Sequence, residues 1–259
     1  MGSLPLWANT LVLAGVLLVA TELGYRLRRI RRRRDGGGAA EASGIVVSAI
    51  LGLLALLIGF TFSMSFERYD TRRDLVLAEA NALGTVALRA DLLDEGIAHD
   101  FRAALLRYEV IRQGFYDAGT DAALLARNHE ATEEQQRALW SIATGVAKAE
   151  PQSRTIPMLL ESLNEAFDLA SARRAAFENH TPWAIVATLI VYTIIVAFVL
   201  SAVIGERRVH QIEISVLFLL ISIVIGLVID VDMPREGVVV ISQAPMTQLH
   251  ESLAGGSGP

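Results

Sequence analysis

The sequence contains no cysteine and no recognisable catalytic motif. Without cysteine, disulfide bonds, thiolate metal sites and a cysteine nucleophile are all excluded. The five histidines are scattered, and none stands at a spacing that would bind a metal. There is no glycine-rich phosphate loop, nucleophile elbow or paired-histidine zinc helix. Asn128-His129-Glu130 is interpreted as a loop. The sequence therefore predicts neither an enzyme nor a bound cofactor.

Charge is also scarce. Charged residues make up 20% of the chain, and the formal net charge of −5 gives no reason to expect nucleic acid as a partner. Apolar residues make up 53%, against about 45–50% in a typical soluble domain. The mean hydropathy is positive, at +0.43. Because the apolar residues are concentrated in segments, this composition indicates an integral membrane protein.

Four apolar segments are long enough to cross a bilayer, at 6–25, 45–66, 183–204 and 212–231. Each is close to the ~20 residues that a helix needs to cross a ~30 Å hydrocarbon core. Backbone groups cannot stay unpaired in lipid, so each segment is predicted to be a helix. The predicted fold is an all-α integral membrane protein with spans in 1–66 and 182–231. A soluble helical bundle at 67–181 separates these pairs of spans, and an extended tail follows at 232–259.

Arginines predict the orientation in the membrane. Two, Arg207 and Arg208, separate the last two spans, and seven separate the first two: Arg26, Arg28, Arg29, Arg31, Arg32, Arg33 and Arg34. Short arginine-rich loops stay in the cytoplasm. We therefore expect a multi-pass protein of the inner (plasma) membrane, with both termini and the helical domain outside the cytoplasm. The seven-arginine cluster serves either as a topology signal alone or also as a binding site for anionic lipid headgroups.

The polar part of the sequence predicts further helices. Span two is expected to continue into solvent as one long helix, followed by helices at 99–116 and 132–149 and one from about 155. The tract at 36–40 is interpreted as a flexible linker, and the last five residues as a disordered end. After span four, Pro234 and Gly237 interrupt the helix. The β-branched run at 238–241 then predicts a strand, packed along the helical domain or a neighbouring subunit.

Span two carries the most unusual pattern. One stripe of small residues would let another helix approach closely: Ser48, Gly52, Ala55, Gly59 and Ser63. Beside it runs a bulky apolar ridge of Ile58, Phe62 and Phe66, and Glu67, Asp70 and Asp74 follow at the membrane edge. In a ring of several copies, the ridge would form apolar constrictions that gate by dewetting, with charged rings beyond them. Alternatively, the ridge packs within its own subunit and the charges only solvate the helix.

Several segments resemble one bacterial membrane family. They are GLLALLIGFTFSM (52–64), FERYDTRR (66–73), EANALG (79–84), DMPREG (232–237) and SQAP (242–245). Together they are similar to the signature of a family described as bestrophin-like. Bestrophins are pentameric anion channels with four spans per subunit, and their second span lines the pore with an apolar neck. The resemblance therefore implies a pore neck at Ile58, Phe62 and Phe66.

Two features depart from the bestrophin pattern. Bestrophins place the domain between spans two and three in the cytoplasm, opposite to the arginine-based prediction. The first charges beyond the implied neck are acidic here, and an acidic vestibule would concentrate cations.

The sequence thus predicts a homo-oligomeric channel, with a pentamer favoured, that passes inorganic ions across the lipid bilayer. The main alternative is a non-conducting membrane protein whose helical domain binds a partner or senses a ligand. A secondary transporter would require broken helices at the midplane and repeated halves. Gly226, the interior glycine of span four, is the one feature in its favour.

Overall fold

The structure is a computed structural model that describes residues 6–35, 41–204, 208–235 and 237–255. These residues form eight helices and no strand, which confirms the all-α class. The helices are α1 (Leu6–Asp35), α2 (Glu41–Ala90), α3 (Glu95–Asp117), α4 (Ala122–Ala149), α5 (Thr155–Glu178), α6 (Trp183–Ile204), α7 (Arg208–Asp232) and α8 (Ala244–Ala254). The predicted linker at 36–40 and the predicted disordered end from 256 onward lie outside the described residues.

The chain forms two compact units. The membrane unit comprises Met1–Arg68 and His180–Val239, and the inserted unit comprises Tyr69–Asn179 and Val240–Pro259. Helix α2 contributes to both units, because it is continuous over 50 residues. The prediction that span two continues as one long helix is therefore confirmed.

Four helices of the described chain are long and apolar enough to cross a membrane. In the membrane unit, α1 packs against both α6 and α7. Two glycines permit this close packing. A Cβ at Gly24 would overlap the backbone carbonyl of Phe198 on α6, and a Cβ at Gly226 would overlap Thr10 on α1. Gly226 therefore has a packing role, which removes the observation that favoured a transporter.

The inserted unit corrects two predictions about its helices. Helix α4 begins at Ala122, ten residues before the predicted start, because the Asp121 carboxylate accepts hydrogen bonds from the backbone N–H groups of Ala123 and Leu124. Such a cap satisfies the free N–H groups of a helix start. The loop predicted at Asn128-His129-Glu130 is wrong, since all three residues lie inside α4. The Asn128 amide donates to the carbonyl of Ile111 on α3, at 2.6 Å.

The strand predicted after span four is also wrong for the described residues. The N–H groups of Val238 and Val239 donate to the Asp230 carboxylate, at 3.0 and 2.8 Å, and not to another strand. Ile241 is buried in the core of the inserted unit. Helix α8 follows, and it buries Met246 in the same core. Residues 241–254 therefore pack along the helical domain, which was one of the two predicted placements.

We expect Gly24→Ala to destabilise the membrane unit by about 1–3 kcal/mol, because the added methyl group overpacks the contact between α1 and α6. Gly15→Ala is the matched control on the same helix, since a Cβ there meets nothing within 4 Å. Thermal unfolding of the purified protein in detergent measures the difference. Equal melting temperatures for the two variants would contradict the proposed packing.

Candidate functional site

Helix α2 is the least buried of the four candidate spans. In its most apolar stretch 17% of the residues are buried, against 28–33% in the other three spans. Its buried residues form a narrow stripe of Val47, Leu54, Thr61 and Ser65. The Tyr192 hydroxyl of α6 donates to the carbonyl of Ile50 along one edge of this stripe, at 3.1 Å. Ile50, Leu51, Leu57 and Ile58 are partly buried against the core of the membrane unit, and most of the other residues in the membrane half of α2 are exposed within the single subunit.

The predicted small-residue stripe lies on this open side. Its five members are all exposed: Ser48, Gly52, Ala55, Gly59 and Ser63. A Cβ added at Gly52 or Gly59 would meet no atom within 4 Å. No described helix of the same chain therefore uses the close approach that these small residues permit.

The apolar ridge is only partly covered. The rings of Phe62 and Phe66 stack, with centroids 6.1 Å apart and an interplanar angle of 22°. Their side chains are 38% and 50% exposed. Ile58 is half-buried and packs against the core of the membrane unit. Ile58 thus packs within its own subunit, as the alternative interpretation of the ridge predicts, whereas Phe62 and Phe66 keep exposed faces.

The predicted pore-mouth charges differ in their position around α2 relative to the ridge. Asp70 and Asp74 continue the four-residue spacing of the ridge. Arg73 pairs with both, at 3.0 and 3.1 Å, so that two carboxylates share one guanidinium. Glu67 directly follows Phe66 and is exposed, but it lies about 100° around the helix from that residue.

The predicted arginine cluster has separate roles where its side chains are described. Arg26 pairs with Glu22 at 2.7 Å. Arg28 donates to the carbonyls of Ala202 and Val203, and so satisfies the carboxyl end of α6. Arg29 is exposed. The side chains of the other four lie outside the described residues: Arg31, Arg32, Arg33 and Arg34.

The inserted unit contains a buried ionic cluster around Glu79 of α2. Arg112 of α3 donates to one carboxylate oxygen of Glu79 at 2.5 Å, and Arg173 of α5 donates to the other at 2.9 Å. Arg173 also donates to Oε1 of Gln243, just before α8, at 2.7 Å. Glu79 and both arginines are at most 3% exposed. The cluster therefore ties α2, α3 and α5 to the segment that directly precedes α8.

This cluster holds two positive charges against one negative charge. The excess is offset by aromatic faces, with the guanidinium of Arg112 5.1 Å from the ring centroid of Phe115 and that of Arg173 5.7 Å from that of Phe177. Such cation–π contacts strengthen when they are desolvated. Burial works against the charged form of Arg112, but the Glu79 carboxylate outweighs it and raises the pKa of this guanidinium.

A neutral phenol lies near this cluster. Burial raises the pKa of Tyr108 to about 12. Its hydroxyl accepts a hydrogen bond from the Gln136 amide at 3.0 Å.

Two further polar residues fix chain segments. Arg72 is fully buried and donates to the carbonyls of Ala176 and Asn179, at 2.9 and 2.7 Å, at the carboxyl end of α5. In the membrane unit, the Asp232 carboxylate accepts from the backbone and the hydroxyl of Thr181, both at 2.9 Å. Both residues thus satisfy backbone groups beside a helix end, as side chains do at many helix termini.

The buried cluster was not predicted, although the sequence carries a signal for it. Glu79 stands among Val76, Leu83 and Val86 at helical spacing, which places a charge on the apolar face of its helix. Arg112 and Arg173 occupy equivalent positions in α3 and α5. Charges at such positions are almost never fully buried unless they are paired, so the three together indicated an internal ion pair.

Comparison with known proteins now adds to this geometry. The model of a family described as "Bestrophin-like domain" matches residues 6–246. The chain belongs to the bestrophin-like family. The family segments quoted from the sequence contain Arg72, Glu79, Asp232 and Gln243, so these segments supply most of the buried polar contacts described above.

Solved structures share the fold. A bacterial bestrophin homologue from Klebsiella pneumoniae matches with a TM-score of 0.74 at 15% identity, over 96% of this chain and 99% of that chain. A variant of that homologue matches with a TM-score of 0.75 at 14% identity, over the full length of both chains. No curated protein matches this bestrophin-like chain.

We expect Glu79→Gln to destabilise the inserted unit by about 3–5 kcal/mol, because it leaves two buried guanidiniums without their carboxylate. Glu178→Gln is the matched control. It breaks the exposed ion pair with Arg174, and such pairs contribute about 0–1 kcal/mol. Limited proteolysis and thermal unfolding report both variants. A small effect of Glu79→Gln, similar to that of the control, would contradict the role of the cluster.

Proposed function

We propose that this bestrophin-like protein is a homo-oligomeric ion channel, built from five copies, whose pore is lined by α2. The observation that carries the proposal is the exposure of α2. It is the least buried of the four spans, and it presents both small residues and stacked phenylalanines on its open side. Small residues at a helix surface favour close helix–helix contact in a membrane. Neighbouring copies of α2 are the proposed occupants of this side.

The ridge forms the neck in this proposal. Phe62 and Phe66, with Ile58 behind them, would repeat around the axis as stacked apolar rings. Such rings close a pore to ions by excluding water. The family resemblance supports the same three residues.

The charges beyond the neck favour cations in this proposal. Asp70 and Asp74 share Arg73, and Arg72 is buried against the carboxyl end of α5, so we propose that the exposed carboxylates outweigh the exposed guanidiniums at the mouth. Several copies would concentrate cations there. Glu67 is proposed to add to this field from the neighbouring face of α2.

Current through the purified protein in a planar bilayer under asymmetric potassium chloride tests the proposal. We expect a current whose reversal potential lies toward that of potassium. A reversal toward chloride would refute the cation preference and match the bestrophin analogy. Silence from folded protein across several lipid compositions and voltages would refute the channel and favour the partner-binding alternative.

We expect Phe62→Ala to raise the open conductance, because it widens the neck and lowers the cost of wetting it. Phe60→Ala is the matched control, since Phe60 is 66% exposed on a different face of α2. Single-channel recordings of both variants measure the effect. Unchanged conductance in Phe62→Ala and Phe66→Ala, or an equal rise in Phe60→Ala, would remove the neck assignment.

We also propose that the inserted unit lies outside the cytoplasm, as the arginine distribution predicts. The absence of native cysteine allows a direct test with single-cysteine variants. In intact cells, a membrane-impermeant maleimide should label Gln152→Cys, at an exposed turn, and should label Ala39→Cys only after permeabilisation. The reverse labelling pattern would show the orientation of bestrophins.

A further inference from the structure

Arg73 is the charged residue that follows the apolar ridge on the same face of α2. Helix α2 is continuous through this stretch, so positions around it can be counted at about 100° per residue. From Phe62, the middle residue of the ridge, Arg73 lies only about 20° around the helix. The other charged residues of this stretch all lie about 80° or more from Phe62: Glu67, Arg68, Asp70, Arg72 and Asp74.

Two neighbouring carboxylates hold the Arg73 guanidinium. Its Nη2 lies 3.0 Å from Oδ1 of Asp70 and 3.1 Å from Oδ1 of Asp74. Its Nε lies 3.4 Å from the same oxygen of Asp74. All three side chains are exposed, at 56% for Arg73, 44% for Asp70 and 63% for Asp74. Ion pairs as exposed as these contribute little to stability, so the fold does not require Arg73.

The position of Arg73 sets two opposite charges side by side at the proposed pore mouth. When the ridge faces the axis of the proposed channel, Arg73 faces it as well, and Asp70 and Asp74 lie to one side. A guanidinium there repels the cations that the carboxylates attract. Because both carboxylates hold it, the guanidinium weakens the local excess of cations without reversing it.

We propose that Arg73 determines how strongly this mouth prefers cations over anions. The inference rests on the proposed function, because it requires α2 to line a conducting pore. It adds an opposing charge to the carboxylates proposed there, so that Arg73 limits the preference that Asp70 and Asp74 create. The permeating species are small inorganic ions such as potassium and chloride.

Reversal potentials in planar bilayers under asymmetric potassium chloride test this role, at low ionic strength, where charges are least screened. We expect Arg73→Gln to raise the permeability ratio of potassium to chloride by about twofold or more, because a unit charge about 8 Å from an ion in water changes its local concentration by roughly that factor. Arg73→Lys keeps the charge and should keep the ratio of the parent protein. Arg89→Gln is the matched control, since Arg89 lies on the opposite face of α2, about 180° from Phe62.

The two aspartates give a second readout. Asp70→Asn combined with Asp74→Asn leaves Arg73 without its carboxylates and should shift the reversal potential toward that of chloride. Addition of Arg73→Gln to this double variant should remove most of the shift, because it removes the guanidinium that caused it.

The absence of native cysteine allows the charge to be changed after the protein has assembled. In Arg73→Cys channels, a cationic methanethiosulfonate reagent should restore the permeability ratio of the parent protein. An anionic reagent should raise the ratio above that of the unmodified variant. Arg89→Cys channels should respond to neither reagent.

The possible outcomes separate this inference from the proposed function. An unchanged reversal potential in Arg73→Gln, or an equal change in Arg89→Gln, would overturn the inference and leave the channel in place. A parent current that reverses toward chloride would refute the cation preference alone, and a shift toward potassium in Arg73→Gln would still support the role of Arg73. Silence from folded parent protein would overturn both. The oligomer elution profile of each variant confirms that it remains folded.

Discussion

One helix, α2, constrains the whole molecule. It is continuous over 50 residues, about 75 Å at 1.5 Å per residue, and it contributes to both units. Its membrane half packs through a narrow stripe of residues such as Val47 and Leu54. In lipid, an open helix face is covered by acyl chains, by another helix or by water in a pore. A stripe of small residues favours a helix, and stacked phenylalanines beside charges favour a gated pore. The channel proposal combines these two features of α2, the small-residue stripe and the stacked phenylalanines beside charges.

Several polar residues of the family segments act in the interior. Glu79 joins Arg112, Arg173 and Gln243 inside the inserted unit, and Arg72 holds the carboxyl end of α5. Buried charges of this kind are tolerated because each is ion-paired or hydrogen-bonded, and loss of one partner leaves another without compensation. Residues of a family sequence pattern can therefore serve to stabilise the fold, even where the pattern first suggests a pore or a binding site.

Hydropathy and helical spacing were enough to predict the spans, the long helix and the all-α class. The remaining predictions failed where local sequence preferences competed with side-chain hydrogen bonds and core packing. The β-branched residues at 238–241 favour a strand. However, the N–H groups of Val238 and Val239 donate hydrogen bonds to the Asp230 carboxylate, and Ile241 is buried in the core of the inserted unit. The start of α4 was missed because a single capping residue, Asp121, sets it, ahead of a first turn whose side chains are mostly exposed. The ridge and the small-residue stripe were visible in the sequence. Their exposure could not be predicted, because it depends on the tertiary structure, in which α1, α6 and α7 pack against one another and leave much of α2 uncovered.

We propose that the open side of α2 is covered by further copies of the same chain around an axis. The mass of the intact complex, measured by native mass spectrometry in mild detergent, tests this claim most directly. The account predicts five copies of the 28.1 kDa chain. A folded monomer or dimer cannot enclose a pore lined by α2, and either result would contradict the account.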